Sequence, residues 1–400
     1  MISFKESIQL LGQNTEVLHC SQVKTEEAVG YLLQEDVISK IDMPPFDKSI
    51  RDGYSLLAED SQAIGNKIKN IGFVSAGECF SGEMHKGECV KTMTGASLAK
   101  GADCVIMVED TKEDKELGLV EILKKLEPGD NICSKAQDIK AGDIVVKKGT
   151  VLSVSNIAAI ASVGKETVTV CSKPKVSLIN TGGEIVSLGG ALGANEIFNT
   201  NGPMLKAMIK EDGFELEHYD VVKDVEIEMQ RSFEEGLTSD VLLISGGVSR
   251  GDFDLVPKVL KDLGVQVIFH RVSIKPGRPL YFGKKDKTLV FGLPGNPISG
   301  FLTYLIYARA AMLKMSGINN DSRVFKEGIL GKTFVQKDAT RRHFVLVKIE
   351  KKGMASYLHP STNYESADIK TLSDADGFME VEENVSVIDE GQRVKYFTWK

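Results

Sequence analysis

Apolar residues first recur at helical spacing, at Phe4, Ile8 and Leu11 and again at Ala28, Leu32 and Leu33. That period predicts helical structure within residues 4–37. From 41 to 140 the pattern changes. Gly and turn residues become dense, and apolar runs shorten to stretches such as CVIMVED (104–110) and LVEILKKL (119–126). Short runs bounded by turn residues predict strands, so 41–140 is expected to be a β-rich insert domain. Regularity returns over 144–171, with IVVKKGTVLS, a helical SNIAAIASVG and a β-like ETVTVCSKP. Residues 1–40 and 141–173 are therefore expected to pack together as one discontinuous domain carrying the insert.

Over 174–320 the apolar runs KVSLIN, LEHYDVV, VLLIS, VQVIFHRV and TLVFG alternate with helical patterns. The helices are PMLKAMIKEDG, EIEMQRSFEEGL, LVPKVLKDLG and the run from Ile298 to Met315. Strands alternating with helices of about ten residues predict a doubly wound, mostly parallel α/β domain. Residues 321–400 read as a C-terminal β domain with no helical period and a terminal VKYFTW strand. The expected fold class is multidomain α/β plus β.

Ligands of doubly wound sheets bind beyond the carboxyl ends of the strands. Three Gly-rich turns fall there: TGGE (181–184), SGGVSRGD (245–252) and GLPGNP (292–297). The last opens a helix whose first turn holds Pro297 and Ser299. Pro is tolerated at that position, and the free N–H groups there attract an anion. IKPGRP (274–279) adds two cations, Lys275 and Arg278, around a Pro-Gly turn. A tetrahedral dianion needs charge-assisted donors from several directions, and Arg supplies a planar fork. Asp252 and Asp254, two residues apart, suit a hard cation that keeps several waters. Glu184 follows the first turn and could bind a metal or a ring nitrogen. The combination predicts a site for a phosphate-like substrate and a metal.

Composition narrows the class. Four hundred residues predict two to four domains. A net charge of −7 argues against a general nucleic-acid or membrane-surface binder. Only ten of the 49 basic residues are Arg, so an Arg inside a motif is expected to have a recognition role. Six Cys, none in a C-x-x-C pattern, predict reduced thiols rather than a zinc site or a disulfide framework. No apolar run approaches the roughly 20 residues of a membrane span, so a cytoplasmic location is the expectation. His85, His218, His270, His343 and His359 are scattered, and neither a Ser-His-Asp set nor a Walker motif is present.

Seven segments occur in a familiar order: PPFDKSIRDGYS, TMTGASLAKGADCVIMVED, NICSKAQDIKAGD, INTGGEI, LISGGVSRGDFD, IKPGRP and GLPGNPIS. With them the chain resembles the molybdopterin molybdotransferases, the MoeA proteins of bacteria, over essentially its whole length. It is similar to the E domain of gephyrin. The resemblance implies a four-domain homodimer whose discontinuous domain mediates dimerisation and whose site lies between protomers. It implies insertion of molybdate into the dithiolene of adenylylated molybdopterin, with release of AMP. Magnesium is the implied ion, and a molybdopterin adenylyltransferase the implied partner.

The same resemblance assigns residues. Lys275, Arg278, Ser299, Arg341 and Ser366 would hold molybdate, with Pro279 beside them in the substrate site. Gly246, Gly247, Ser249, Pro294, Asn296, Pro297 and Asp138 would contact the rest of the substrate. Asp254 would serve adenylate hydrolysis, with Asp252, Asp254 and Glu184 around the metal. Asp52 and Thr94, from the insert, would enter the site of the other protomer. Departures from the family pattern stand at Arg51, Ser55, Ser134, Ala136, Gly183, Arg250, Arg278 and Leu346. A catalytically degraded member acting as a binding scaffold is the alternative. Another nucleotide-using transferase on the same α/β domain is a third reading, against which both β domains count.

Overall fold

Lys175–Thr181, Val241–Ser245 and Thr288–Leu293 are almost wholly buried aliphatic runs, as strands covered on both faces must be. They pair in parallel at the centre of a six-stranded sheet. Glu215–Val222 extends the parallel part on one side. Tyr281–Lys285 and Gln266–His270 close the other side antiparallel. The sequence pattern missed Tyr281–Lys285. Its lysines break the apolar run, and the two-residue turn to Thr288 contains no Gly or Asn; Asp286 takes the positive φ of 54° instead.

The computed structural model describes residues 1–248, 255–319, 325–336, 338–361 and 365–399. The chain divides into two units. One comprises Met1–Ser21, Gly30–Leu32 and Cys171–Lys400, and the other Gln22–Val29 and Leu33–Val170.

The larger unit holds the α/β sheet with helices Asn201–Glu211, Glu226–Gly236 and Val256–Asp262. Helix Pro297–Thr303 runs through a π-turn, Tyr304–Ala308, into Arg309–Met315. Phe4–Asn14 is helical as its period predicted, capped by the Ser3 hydroxyl accepting from the Glu6 amide. The later Ala28–Leu33 spacing does not continue a helix. Cys20–Lys24 is a strand, and Gly30 turns the chain at φ 79°. The C-terminal strands Arg342–Lys352, Ala355–Pro360, Lys326–Leu330, Arg393–Thr398 and Gly377–Val381 pair in a ring that closes on the first. This segment also contains a helix, Ile369–Asp374, against the expectation of β throughout. The Asp368 carboxylate accepts from the Thr371 amide at its start, a local cap the β reading overlooked. Phe4, Phe301, Phe344, Phe378 and Phe397 join one core beneath the sheet and the ring.

In the smaller unit six strands order as Cys104–Met107, Gly53–Leu56, Glu88–Thr92, Lys67–Val74, Leu119–Ile122 and Thr111–Asp114. Tyr54, Leu56, Ile68, Ile106 and Val120 fill their core. Helix Val154–Ser162 starts at a reciprocal cap between Ser153 and Asn156.

Candidate functional site

The three turns at the carboxyl ends of the central strands pack closely. Gly246 sits at φ 104°, and a Cβ there would lie 2.4 Å from the Thr181 carbonyl. A Cβ on Gly295 would come within 3.7 Å of the Gly246 Cα. Gly247, at φ 62°, lies over the Thr181 hydroxyl and Val256. Asn201, at the start of its helix, stitches two turns together. Its amide nitrogen donates to the Ser245 hydroxyl at 3.0 Å and the Gly295 carbonyl at 2.7 Å. The sequence reading did not pick out Asn201; only the fold places it there.

Beside these turns opens a cleft of about 1050 Å³ within the larger unit. One wall is the segment 274–279. Ile274–Lys275 pairs with Arg342 and His343 of the C-terminal ring, which brings that ring to the cleft. Gly277, at φ 102°, packs where a Cβ would strike Thr303 at 2.7 Å. Lys275 and Arg278 are exposed on either side of it. No carboxylate among the described residues pairs with either head group. Pro279, Pro294, Asn296 and Ser299 also line the cleft. Ser299 is 4% exposed, in the first turn of the helix that Pro297 begins. Asn296 donates its side-chain amide to the Ser366 hydroxyl at 2.6 Å, and the Ser366 carbonyl accepts from the Ile298 amide at 3.0 Å. Residues far apart in sequence, 275, 299 and 366, are thus gathered at one opening.

Arg341 is placed differently from the other two cations. Its guanidinium forks onto Asp338 at 2.9 and 2.5 Å. The Thr340 hydroxyl, then Arg341, hold the Asp338 carboxyl far below the usual carboxylate range. Arg341 therefore enters the cleft with part of its charge matched. Arg342 serves structure instead, bonded to Glu380 at 2.6 Å and Glu383 at 2.9 Å. Leu346, where the family pattern has Arg, is fully buried in the core.

Two cleft residues were not assigned to the site from the sequence: His343, set aside there as a scattered histidine, and Gln336. His343 is 4% exposed, and burial, then the charges of Lys275 and Arg341, push its imidazole down to about 4. Gln336 is 6% exposed in the same lining. Neither residue type repeats in a motif, so no local signal marked them. His270 proves to be a satisfied structural histidine: its Nε2 meets the Val248 carbonyl at 2.9 Å.

Asp52 and Thr94 lie together in the smaller unit. The Thr94 amide and hydroxyl both donate to Asp52 Oδ1, at 2.7 and 2.8 Å. The amide bond first, then the hydroxyl, hold the Asp52 carboxyl below its ordinary value. The glycines beside them are required by space and geometry. A Cβ on Gly53 would lie 1.8 Å from the Ile106 carbonyl, and Gly95 sits at φ 85°. Asp138 is exposed on a separate turn, where its amide donates to the Met43 carbonyl.

Ser249, Asp252 and Asp254 lie outside the described residues. Of the expected metal set this leaves Glu184, an exposed carboxylate just beyond Gly182. A hard ion that retains water asks for only one or two carboxylates, and Glu184 fits the chemistry as one of them. Among the described residues no group of three or more His, Cys, Asp or Glu side chains could hold a metal ion.

Comparison with known proteins matches this arrangement along the chain. Residues 2–164 match the MoeA N-terminal region (domain I and II), 177–312 a probable molybdopterin binding domain, and 332–399 the MoeA C-terminal region (domain IV). A molybdopterin molybdenumtransferase of Staphylococcus epidermidis is 34% identical over 326 residues, covering 79% of this chain and 76% of that protein. One from Staphylococcus aureus is 34% identical over 321 residues with the same coverage. The solved structure of a molybdopterin biosynthesis MoeA protein from Pyrococcus horikosii superimposes with a TM-score of 0.77 at 32% identity, covering 100% of this chain and 99% of that one. A second MoeA structure, from Pyrococcus horikoshii OT3, gives 0.73 at 28% identity with full coverage of both chains. With three regions matched in order, a relative above 30% identity and the same fold end to end, the chain belongs to the MoeA family.

Proposed function

We propose that the chain inserts molybdenum into adenylylated molybdopterin, releasing AMP and forming molybdenum cofactor. The observation that carries this reading is the pair Lys275 and Arg278, unmatched by carboxylate among the described residues, at a cleft that also gathers Ser299, Ser366 and the Gly-Leu-Pro-Gly-Asn-Pro turn. Unmatched cations and a helix start favour a small dianion. The Gly246–Gly247 turn, packed against Thr181 and Val256, would offer its backbone to the phosphate side of the substrate. Asp254 would orient water at the phosphoanhydride, and Asp252 and Glu184 would hold magnesium there, where the ion supplies charge neutralisation. Asp52, kept ionised by Thr94, would reach the site from a second copy of the chain in a homodimer. A molybdopterin adenylyltransferase would supply the substrate, in the cytoplasm. No helix of the described residues is long and apolar enough to cross a membrane.

Incubating the protein with adenylylated molybdopterin, magnesium and molybdate, and following both AMP and molybdenum-bearing product, tests the proposal. Molybdate-stimulated AMP release with product formation is expected. Substrate binding without turnover would favour the scaffold alternative. Chelation of magnesium should stop AMP release while leaving the substrate bound. Mixing Asp52→Ala with Asp254→Ala chains should restore activity, since one site of each mixed dimer carries neither change.

A further inference from the structure

Asn201 opens the helix Asn201–Glu211, yet another asparagine serves that helix start. The Asn199 carboxamide oxygen accepts from the Gly202 amide at 2.8 Å. The Asn199 nitrogen donates to the Tyr219 hydroxyl at 3.0 Å. Gly202 packs so closely there that a Cβ would lie 2.4 Å from that hydroxyl. The backbone of Asn201 is thus set by a packed helix start, and its carboxamide nitrogen reaches away from it. It donates to the Ser245 hydroxyl at 3.0 Å and to the Gly295 carbonyl at 2.7 Å. A carbonyl can only accept, so the amide nitrogen is the end that faces it.

The two acceptors stand on different turns. Ser245 pairs with Leu293 at the end of the parallel ladder, and the Gly246 amide adds a bond to the Leu293 carbonyl at 3.2 Å. Past it, no backbone hydrogen bond joins the two turns among the described residues. They nevertheless stay close, since a Cβ on Gly295 would come within 3.7 Å of the Gly246 Cα. Two facing glycines have no side chains of their own to fix that spacing. The Gly295 side has a second anchor, because Asn296 donates to the Ser366 hydroxyl at 2.6 Å and the Ile298 amide to the Ser366 carbonyl at 3.0 Å.

We propose that Asn201 is a positioning residue for the reaction: it holds the Gly246–Gly247 turn at a fixed spacing from the Pro294–Ser299 turn and helix start. Gly247, Pro294, Gly295, Asn296 and Ser299 line the same cleft, so this bond sets the distance between two of its walls. The inference rests on the proposed function, in which the first turn serves the phosphates and the second the oxyanion. Misplacing reacting groups by about an ångström can cost roughly a hundredfold in rate. Binding of the oxyanion by Lys275, Arg278 and Ser299 uses no atom of Asn201. Its loss should therefore fall on turnover and spare molybdate affinity.

The test compares the full chain with Asn201→Ala, Asn201→Asp and Ser245→Ala. Alanine removes both bonds. Aspartate keeps the shape but turns an acceptor toward the Gly295 carbonyl, and Ser245→Ala removes one bond of the two. Turnover of adenylylated molybdopterin with magnesium and molybdate gives kcat and the KM for molybdate; radiolabelled molybdate gives its affinity directly. In Asn201→Ala and Asn201→Asp, kcat should fall about ten- to hundred-fold with the KM and affinity for molybdate unchanged. Ser245→Ala should lose less, and it carries the test if the Asn201 variants fail to fold. Wild-type kcat in the folded variants would overturn the proposal. So would a fall in molybdate affinity and Tm that matches the fall in kcat, which is the mark of a merely structural residue. Absence of AMP release by the wild type itself would remove the proposed function, and this inference with it.

Discussion

In the cleft of the larger unit, Lys275 and Arg278 carry positive charge that no described carboxylate pairs with. In the smaller unit, Asp52 carries negative charge that two donors of a single residue, Thr94, hold in place. The first region is charged and open, assembled from segments as distant as 275, 299 and 366. The second is compact and local to two turns. Exposed charge contributes little to stability, so what marks the cleft is the gathering of these cations with Ser299 and Ser366 at one opening. A carboxylate fixed by backbone and hydroxyl donors is held ionised and oriented before anything binds. The two regions share one feature, a glycine where no side chain fits.

That shared feature gives the largest expected effects. Gly53→Ala should place its Cβ 1.8 Å from the Ile106 carbonyl, and Gly246→Ala 2.4 Å from that of Thr181. Neither contact is a flexible side-chain end. Each substitution should cost about 3 kcal/mol or more, read as a loss of Tm or of soluble protein. Near wild-type melting of either variant would show that these turns shift more freely than the packing implies.

Next come the cations. Lys275→Ala and Arg278→Ala should each raise the molybdate requirement roughly ten- to hundred-fold, because a charge-assisted bond is lost. Arg341→Ala should raise it less, since Arg341 already spends its fork on Asp338. Equal effects at all three positions would erase the distinction between free and matched cations. Molybdate titrations of product formation decide the matter.

The Asp52 corner should respond to pH in a defined direction. Its carboxyl lies below the ordinary value of 3.8 through the Thr94 amide first and the hydroxyl second. A depressed folded value gives stabilisation that is present above the ordinary value and lost as pH falls through the folded one. Thr94→Val removes only the hydroxyl bond, so a carboxyl-labelled NMR titration should show a partial rise, not a full return to 3.8. No movement would mean the amide alone sets the value.

The smallest effect is expected at Asp138. It is exposed, and its carboxylate forms no hydrogen bond with the Asp52–Thr94 pair, so Asp138→Asn should leave Tm unchanged. A lowered Tm would reveal a structural role.

These contrasts also explain what could be read from the sequence. The Gly-rich turns and Lys275-Pro-Gly-Arg278 were legible because each is local and its glycines answer to backbone geometry. The alternating strands and helices of 175–315 were legible from period and burial. Tyr281–Lys285 was not, because its lysines disguise a strand that pairing with Thr288–Leu293 creates. Arg341 was found, but its partner Asp338 was not, since the pair forms only where Thr340 turns the chain. His343 and Gln336 left no trace in the pattern. Their place in the cleft lining is a property of the fold and not of residue type.

The central claim is that the oxyanion belongs to the cleft and not to the carboxylate corner. Direct binding of radiolabelled molybdate to Lys275→Ala and Asp52→Ala, both still folded, tests it. Lys275→Ala should lose roughly tenfold or more in affinity, while Asp52→Ala binds as the wild type does and fails only in turnover. Full molybdate binding by Lys275→Ala, with loss of binding in Asp52→Ala, would contradict the account.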